Sequence, residues 1–509
     1  MAPQEGKPQG RQCDDGKSSG HNAATQLDES YIPSGPEIIA SIAAEVLAWW
    51  KRRGFVRSEL DAIAAANRIL MTMGTEDMKA AYRKVPTSQP HYTVVGIWSV
   101  IEQRPIFFIV NGLPFGLTSA VNQFNRLPHF IQAVARRLLG IWAVHYFDDW
   151  AVPELAIAKG VGQRSLQSLH LMLGVALEKK KRQQSSVRAC YLGMLIDLSR
   201  AIDGIVIFSP KHTRCTKVLS RLARAKEEGK LNSTDSGSVA GKVAWIGQGL
   251  MARAGRFATQ AFYERQHAPG VEAWTTLLEG SRLFLVDLFD LASWEFLGGN
   301  EDDPLCWSAP AHLCRQVRVD GEDGSYLSLW SDASLESGAS GLGVAMVDHS
   351  CSPPLRLYAA SECPDWLMED LRACPSTGRR RDKIICQLEG LAAVAAQMTF
   401  AKHLQGRRFL SFIDNTAALS CIINGVSNKE DMGRIASMYQ LMVIRGGADG
   451  WHEHVRSRSN IADIPSRLDE ASAEQLAEMG FAKVDMVLPH RELWEDLRVL
   501  LHGPAGPED

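Results

Sequence analysis

The chain has 509 residues, of which 45% are apolar and 22% are charged, and its formal net charge at pH 7 is −3. These proportions are those of an ordinary globular protein, and the length is sufficient for two or three domains. The slightly negative charge excludes a protein that binds nucleic acid through an overall basic surface, so any such binding must rest on local basic stripes around acidic sites.

Ten cysteines are scattered along the chain, and no two of them form a Cys-x-x-Cys pair. Because no signal peptide is recognisable, we expect reduced thiols of an intracellular protein, cytoplasmic or nuclear, rather than the disulfide framework of a secreted one. The best candidate for a membrane span, Ile38 to Trp50, is too short to cross a bilayer and contains Glu45, so no membrane association is expected.

The first 35 residues are rich in Gly, Ser, Gln and charge, a composition that predicts disorder. A helix is predicted from Pro36 to Trp50, because apolar residues recur there on one helical face: Ile38, Ile39, Ile42, Val46 and Trp49. A second helix is predicted from Ser58 to Leu70.

Three blocks between residues 77 and 152 carry the first candidate chemistry. Asp77 opens the first block and is predicted to end a strand. The second block, residues 111–120, is a turn that opens a helix, and its Gly112 and Gly116 let the backbone approach a ligand closely. Gln123 lies one turn into that helix.

The third block is an apolar run, residues 143–152, interrupted by Asp148 and Asp149. This pattern predicts two short strands joined by a turn that carries both carboxylates. Two like charges beside a core are costly unless a cation lies between them, and Mg²⁺ is a hard ion that takes carboxylate and phosphate oxygens. For the dipeptide alone, an acidic turn in solvent is the competing interpretation.

In this order the three blocks resemble the palm subdomain of reverse transcriptases, with its first Asp motif, its Leu-Pro-x-Gly block and its Tyr-x-Asp-Asp hairpin. The resemblance implies that Asp77, Asp148 and Asp149 are catalytic and bind two Mg²⁺ ions, with Mn²⁺ as a substitute. It also implies a substrate-binding set that surrounds them: Tyr82, Pro114, Phe115, Gly116, Gln123, Tyr146, Phe147 and Lys181.

Within that set, Tyr82 would stack beneath the sugar and select deoxynucleotides, and a half-buried packing role is the alternative. Residues 174–182 resemble the next palm motif, whose lysine protonates the pyrophosphate leaving group. Lys181 is favoured over Lys180 for this role, and a basic surface loop is the competing interpretation. Residues 191–194 resemble the turn that grips the primer.

The resemblance is weaker on either side of the palm. Only 76 residues precede Asp77, so we expect a truncated fingers subdomain, with Lys51, Arg52, Arg53 and Arg57 as candidates for contacts with the triphosphate. Downstream, four basic residues share one face of a predicted helix, opposite an apolar face: Arg214, Lys217, Arg221 and Arg224. This helix is either a thumb helix lying on phosphates or a helix with a solvated face.

A second acidic set begins near residue 327. Asp332 and Asp414 each follow an apolar strand, Glu389 lies on the apolar side of a helix, and Asp463 lies within an Asn-x-Ala-Asp-x-x-Ser-Arg motif over 460–467. Each alone could be a helix cap or a strand end. As an ordered quartet they form a candidate cluster for two divalent ions held ~3.5–4 Å apart.

The order of this quartet resembles the Asp-Glu-Asp-Asp set of ribonuclease H domains, and the 460–467 motif is typical of those in retroelements, notably the tyrosine-recombinase (DIRS-like) group. The resemblance implies that Asp332, Glu389, Asp414 and Asp463 are catalytic and hold two Mg²⁺ ions. The interval from 346 to 384 is predicted to be an insertion. His452 and His454 are more readily explained as packed or surface imidazoles than as catalytic groups.

Together these patterns predict an α+β palm and thumb polymerase with truncated fingers, followed by an α/β ribonuclease H-like domain with a mixed sheet. The predicted divisions are a disordered segment (1–35), fingers remnant and palm (36–210), thumb and connection (211–325), ribonuclease H-like domain (326–470) and an acidic helical tail (471–509).

The implied activity is that of an RNA-directed DNA polymerase with ribonuclease H. Its partners would be an RNA template, a DNA primer, an RNA–DNA hybrid and deoxynucleotide triphosphates. A relic that binds nucleic acid without catalysis, and a protein that retains only the nuclease activity, are the alternatives.

Overall fold

The computed structural model describes residues 17, 20–26, 31, 33–52, 69–249, 255–268, 270–320, 326–336, 339–373, 380–381, 383–427 and 429–497. Contacts divide the chain into two compact units, residues 1–206 and 207–509. Most of the helix predicted over 58–70, and most of the segment predicted to be disordered, lie outside the described residues. The finer domain divisions remain predictions. Among the described helices, none has the length and apolar character needed to span a bilayer.

The described part of the first unit alternates short strands with helices. In chain order these are α1 (Ile38–Arg52), β1 (Met71–Asp77), β2 (Val94–Ser99), β3 (Arg104–Ile109), α2 (Thr118–Arg137), β4 (Val144–Tyr146), β5 (Asp149–Leu155), α3 (Val161–Met172), β6 (Gln183–Ser186), β7 (Arg188–Tyr191) and β8 (Met194–Asp197). The predicted helix near Pro36 and the predicted helix after the Gly116 turn are both present, because each has the apolar face that a helix must bury.

A four-stranded sheet in the order β4-β5-β1-β6 is the centre of this unit. β1 is antiparallel to β5, with Met71 opposite Leu155 and Asp77 opposite Asp149. Every residue of β1 is buried, although its sequence is largely polar. The apolar core lies between this sheet and the helices α2 and α3, and includes Phe124, Trp150 and Leu166. The acidic ends of β1 and β5 are therefore fixed by a buried scaffold.

Two hairpins complete the first unit. β2 and β3 pair alone, with Val94 opposite Ile109, and most of their large apolar side chains are exposed. β7 and β8 are joined by Leu192 and Gly193, both of which have positive φ. The tight turn predicted at 191–194 is therefore present.

The second unit begins with strands and helices in which the sequence offers no candidate catalytic residue. These are β9 (Ile205–Pro210), which starts just before the boundary, α4 (His212–Glu227), α5 (Ser233–Gly249), α6 (Arg256–Gln266), α7 (Thr276–Phe289), β10 (Glu295–Phe296), β11 (Trp307–Ser308) and β12 (Arg315–Arg318). α4 buries Cys215, Val218, Leu222 and Ala225, as its apolar spacing predicts. On its basic face Arg221 contacts Asp235 at 3.3 Å, and Arg224 contacts Glu228 at 3.6 Å.

A six-stranded mixed sheet with surrounding helices makes up the rest. Its elements are β13 (Tyr326–Glu336), β14 (Ala339–Asp348), β15 (Leu355–Glu362), α8 (Asp365–Arg372), α9 (Ile385–Thr399), α10 (Ala401–Leu404), β16 (Arg408–Ile413), α11 (Thr416–Asn424), α12 (Glu430–Gly446), β17 (Asp449–His454), α13 (Asp463–Ser466), α14 (Glu470–Glu478), β18 (Ala482–Lys483) and α15 (Arg491–Glu495).

The strand order of this sheet is β17-β16-β13-β14-β15-β18. β14 is antiparallel to β13 and β15, whereas β16 is parallel to both β13 and β17. The predicted mixed α/β sheet is thus present. α9 is buried around most of its circumference, because it packs between the sheet and α12.

One prediction for this region was wrong. The interval from 346 to 384 is not simply an insertion, because it contains β15, the fifth strand of the sheet order, and α8. β15 has only a three-residue buried centre, Leu357 to Ala359, between polar ends. A strand with so short an apolar stretch gives little periodic signal in the sequence.

Candidate active sites

The first acidic site lies where β1 and β5 meet. Asp77 ends β1 directly opposite Asp149, which begins β5, and Asp148 precedes it in the turn. Burial, then the neighbouring carboxyl groups of Asp148 and Asp77, raise the pKa of Asp149 to about 7. The predicted placement of the three carboxylates near one hairpin turn is therefore what the structure has.

A lysine neutralises part of this charge. The Nζ of Lys181 lies 2.6 Å from Asp77 Oδ2. Lys179 and Lys180 are exposed in the same short turn. Of the three lysines, Lys181 is the one that the structure places on an acidic residue of the site.

Two of the residues predicted to bind substrate, Tyr82 and Phe115, belong to a group of packed aromatic rings. Tyr82 is half-buried and packs on Phe124 and Phe115, with ring centroids 4.4 and 4.7 Å apart. Burial, followed by the charge of Asp148, raises its pKa to about 12. Tyr82 thus combines the packing role with a position close to the acidic turn.

The other residues predicted to bind substrate lie in the turn around Gly116, on α2 and in the hairpin turn. Pro114 is buried, and Gly116 has φ +97°, a conformation that other residues rarely adopt. Gln123 is exposed on α2. Phe147, in the hairpin turn next to Tyr146, has φ +53°, which is strained for a side chain of this size.

Two residues of the N-terminal segment contact this site. The amide of Asn22 donates to Gly116 O and accepts from the backbone N–H of Thr118, both at 2.9 Å. The Tyr31 ring lies 5.4 Å from the Phe147 ring. Part of the segment predicted to be disordered therefore contacts the turns that carry Gly116 and Phe147, two of the residues predicted to bind substrate.

The second acidic site lies on the six-stranded sheet. Ligand atoms of Asp332, Glu389 and Asp414 all lie within 4.8 Å of one another. Ser331 pairs with Ile413 in the parallel register of β13 and β16, so the next residues along each strand, both aspartates, emerge side by side. Glu389 reaches them from α9. This is the one group of three metal-ligating side chains so close together in the described part of the chain.

Burial makes this cluster electrostatically unfavourable without a cation. It raises the pKa of Glu389 to about 9 and that of Asp332 to about 7, and the neighbouring carboxylates add to both shifts. Glu389 Oε2 and Asp414 Oδ1 are buried and have no hydrogen-bond partner. Oxygens in this state fit a hard divalent cation, which takes several carboxylate ligands.

Asp463 lies near this group but not within its 4.8 Å limit. It begins α13, is partly exposed, and pairs with Arg467 at 2.8 Å. Its charge nevertheless contributes to the raised pKa of Asp332. The predicted fourth carboxylate is thus placed at the rim of the cluster.

The motif around Asp463 has a structural role that the sequence did not reveal. Buried Ser466 donates to Asp332 Oδ2 at 2.7 Å, and Asn460 Nδ2 donates to Ser331 O at 2.9 Å. A Cβ on Gly341 would lie 1.8 Å from Ser466 O, and a Cβ on Gly343 would lie 2.4 Å from Ala462 O. The two glycines therefore let α13 approach β14 closely enough to orient Asp332.

The two histidines have different surroundings. His452 is half-buried, with its Nε2 3.0 Å from the Tyr439 hydroxyl, and desolvation lowers its pKa to about 4. His454 is exposed, and its Nε2 lies 3.0 Å from Asp414 O. His452 is a packed imidazole, and His454 is a surface imidazole at the edge of the cluster.

Sequence reasoning also missed a buried network behind Asp77. Glu76 faces α3 and binds Arg182, Gln163 and Gln167. The sequence signal for this network is a pair of adjacent acids, residues 76–77, and a pair of adjacent bases, residues 181–182. Because the two pairs are about a hundred positions apart, the sequence alone does not show that they contact each other.

Comparison with known proteins gives remote likenesses. No protein-family model and no curated protein matches the sequence. A foamy viral protease-reverse transcriptase solved in complex with double-stranded DNA is similar with a TM-score of 0.35 and 13% identity, over 76% of this chain and 57% of the viral chain. An RNase H1 from the halophilic archaeon Halobacterium salinarum NRC-1 has a TM-score of 0.22 and 15% identity, over 30% of this chain and 98% of the archaeal chain. This chain thus spans little more than half of the viral chain, and the geometry of the two acidic sites is what indicates chemistry.

Proposed function

We propose that this chain is an RNA-directed DNA polymerase with ribonuclease H activity, of the retroelement type. The observation that carries the proposal is the presence of two separate carboxylate clusters, one in each unit, each built on a sheet: Asp77 and Asp149 lie at the facing ends of β1 and β5, and Asp332, Glu389 and Asp414 come together around β13 and β16. The motif over 460–467, which packs against Asp332, supports the tyrosine-recombinase group of retroelements. The proposed partners are an RNA template, a DNA primer, deoxynucleotide triphosphates and an RNA–DNA hybrid.

In the polymerase site, Asp77, Asp148 and Asp149 would hold two Mg²⁺ ions. Bound there, the ions would activate the primer 3′-oxygen and stabilise the leaving pyrophosphate. Lys181, already on Asp77 at 2.6 Å, would carry a proton to the leaving group. Tyr82 supplies an aromatic surface for the sugar and base, and the Gly116 turn supplies a close backbone approach.

In the nuclease site, Asp332, Glu389 and Asp414 would hold the divalent ions, with Asp463 as a ligand from the rim. The ions would supply an activated water and a charge opposite the leaving oxygen. Ser466 donates to Oδ2 of Asp332 and Asn460 donates to its Oδ1, so both oxygens of this carboxylate are oriented by neutral donors. Selection of the RNA strand would require contact with its 2′-hydroxyl groups.

A protein with nuclease activity alone is the second candidate. One observation favours it, because the three closely spaced ligands in the described part of the chain are those of the nuclease site and not those of the polymerase site. Arg52, a candidate for triphosphate binding, lies 3.8 Å from Glu45. Arg53 and Arg57 lie outside the described residues.

Two assays on the full chain separate these candidates. Primer extension on an RNA template with Mg²⁺ is compared between the wild type and Asp148→Asn. Cleavage of a labelled RNA–DNA hybrid is compared between the wild type and Asp332→Asn. Loss of each activity in its own variant alone supports both proposed functions. Cleavage without any extension supports the second candidate, and the absence of both activities contradicts the two together.

A further inference from the structure

A buried carboxylate lies directly behind the polymerase site. Glu76 precedes Asp77 in β1, so its side chain points to the opposite face of the sheet, where it is 2% exposed. Its carboxylate accepts from Arg182 Nε at 2.9 Å and from the amides of Gln163 and Gln167 at 2.8 and 2.7 Å. A buried carboxylate with this many donors has a fixed position.

Arg182 is the chain neighbour of Lys181. Two adjacent bases therefore meet two adjacent acids at the end of β1, with one pair on each face of the sheet. Lys181 meets Asp77 on the side of the candidate active site, and Arg182 meets Glu76 on the buried side. The turn that precedes them is tied to the same strand, because Glu178 N donates to Asp77 O at 2.7 Å and Lys181 N donates to Glu178 O at 3.0 Å.

The two pairs differ in how well they can hold their geometry. The Lys181 side chain is 49% exposed, whereas that of Arg182 is 21% exposed and that of Glu76 is fully buried. An exposed lysine pair is weak, because water screens the attraction and the long side chain loses rotamer freedom. The buried pair is therefore the part of this arrangement able to fix the backbone of residues 181–182.

The rest of the network anchors Glu76 to the neighbouring strand. Gln163 Nε2 also donates to Gln183 O at 2.9 Å, and its Oε1 accepts from Ser185 N at 3.0 Å. A Cβ on Gly74 would lie 2.3 Å from Gln163 Oε1, so the glycine makes room for this amide. Glu76, α3 and β6 are thus joined into one unit.

We propose that the Glu76–Arg182 ion pair is a positioning device that keeps Lys181 against Asp77. This inference rests on the proposed polymerase function. Neither Glu76 nor Arg182 reaches the substrate side of the sheet, so both are positioning residues that act through Lys181. Loss of the pair lets the backbone of residue 181 move, and the ammonium then leaves the carboxylate.

Two consequences have opposite signs. With primer, template and nucleotide bound, a displaced Lys181 slows nucleotide incorporation. Without nucleic acid, the ammonium competes with a divalent ion for Asp77, so its displacement strengthens binding of that ion. Simple structural damage would instead weaken both.

The test uses the full chain carrying Asp332→Asn and Asp414→Asn, so that the nuclease carboxylates do not contribute to ion binding. Glu76→Gln, Lys181→Ala and the combined variant are compared by the single-nucleotide incorporation rate at saturating nucleotide. Mn²⁺ binding in the absence of nucleic acid is measured by electron paramagnetic resonance. Lys181→Ala is expected to slow incorporation about 100-fold, as for loss of a general acid.

Glu76→Gln is expected to slow incorporation about tenfold, and the combined variant is expected to be no slower than Lys181→Ala, because residues that act as a unit are not additive. For Mn²⁺, Glu76→Gln should tighten binding about threefold, and the combined variant should bind as Lys181→Ala does. Arg182→Lys keeps the charge and should retain more of the rate than Arg182→Ala.

Glu154→Gln is the matched control. Glu154 is another buried glutamate of the same sheet, and it accepts from Gly160 N and Gly162 N at 2.5 and 2.8 Å. Its loss should lower thermal stability, and any effect on rate should multiply with that of Lys181→Ala.

The proposal is overturned if the Glu76→Gln and Lys181→Ala effects on rate multiply, or if Glu76→Gln weakens Mn²⁺ binding. If the wild-type protein does not extend a primer, the proposed function fails, and the Mn²⁺ measurement still decides whether the pair positions Lys181. If Glu76→Gln does not fold, Arg182→Lys and Arg182→Ala decide by the same two measurements.

Discussion

At the end of β1, Asp77 has an ammonium 2.6 Å away, supplied by Lys181 of the same chain. On the six-stranded sheet, Glu389 and Asp414 each have a buried oxygen without a hydrogen-bond partner. Hydrogen bonds to Asp332 come from neutral groups, Ser466 and Asn460. Both sites bring carboxylates together, but they place their basic groups differently: Lys181 contacts Asp77 at the first site, whereas Arg467 contacts only the rim carboxylate, Asp463, at the second.

This difference teaches what each site needs from outside. Burial and mutual repulsion raise the pKa values of Asp332 and Glu389 to about 7 and about 9, so a cation that enters the proposed nuclease cluster favours the ionised form of both groups. The polymerase cluster is partly neutralised by Lys181, so a divalent ion must displace or share that contact. We therefore expect the nuclease site to bind a divalent ion without substrate, and the polymerase site to bind it best with nucleotide phosphates present.

The largest expected effects come from removing one ligand at each site. A metal ion contributes several kcal/mol of transition-state stabilisation, so Asp414→Asn should lower hybrid cleavage about 10³-fold while leaving primer extension unchanged. Asp148→Asn should lower primer extension by a similar factor while leaving hybrid cleavage unchanged. Both activities are measured on both proteins, so each variant is the other's control. Equal loss of both activities in either variant would contradict the separation of the two sites.

The sequence predicted the carboxylates of both sites better than it predicted what orients them. Asp148 and Asp149 stand out because they interrupt an apolar run, and Asp332 and Asp414 stand out because each ends one. Such signals are local. The bond from Ser466 to Asp332 joins positions 134 apart, and no local pattern encodes it.

The same limit applies to the fold. α1, α2 and the mixed sheet follow from apolar periodicity, which the chain shows within a few turns or residues. β15 escaped prediction because its apolar centre is only three residues long and its burial depends on β14 and β18. The contacts of Asn22 escaped because polar composition predicts disorder, whereas its two hydrogen bonds depend on a turn almost a hundred residues away.

The next largest effect tests whether the nuclease site depends on its neutral donors. Ser466→Ala removes the buried hydrogen bond to Asp332, and loss of such a supporting contact typically costs about 10- to 100-fold in metal affinity or activity. Hybrid cleavage is measured across Mg²⁺ concentrations, and the Mg²⁺ requirement should rise. Ser437→Ala is the matched control, because Ser437 is equally buried but its hydroxyl has no partner. If both variants lose hybrid cleavage to the same extent, the effect comes from disturbed packing and not from the lost hydrogen bond.

The pH dependence of the free energy of unfolding tests whether the buried carboxylates around Glu389 lack a contacting counter-charge. An acid whose pKa is raised by folding binds its proton more tightly in the folded state, so it stabilises the protein below its ordinary pKa and that stability is lost as pH rises. Without metal, the free energy of unfolding of the second unit should fall between about pH 4.5 and pH 9, the interval between the ordinary pKa and the raised pKa of Glu389. We expect the melting temperature to fall across this interval, because each loss of about 1 kcal/mol lowers it by roughly 2–4 °C in a unit of this size.

Thermal unfolding in a chelator and in Mg²⁺ checks this prediction, at pH values from 5 to 9. Mg²⁺ should restore most of the loss, because an ion that binds only the folded state stabilises it. Glu389→Gln should flatten the upper part of the pH dependence, since an amide does not titrate. A melting temperature that rises with pH in the chelator would contradict the assignment of unpaired buried carboxylates.

The smallest expected effect concerns the dependence of the proposed polymerase site on the N-terminal segment that contains Asn22. Asn22 holds the Gly116 turn through two exposed hydrogen bonds of 2.9 Å, and each such bond contributes only about 0.5–1 kcal/mol. Asn22→Ala should therefore raise the KM for nucleotide about threefold, because the turn that receives the nucleotide is less well held, while kcat stays the same. Asn22→Asp keeps the acceptor for Thr118 N–H but loses the donor to Gly116 O, so its KM should fall between those of the wild type and Asn22→Ala. Steady-state extension on an RNA template measures both constants, with hybrid cleavage as the internal control. An unchanged KM in both variants would mean that the Gly116 turn keeps its conformation without the hydrogen bonds from Asn22.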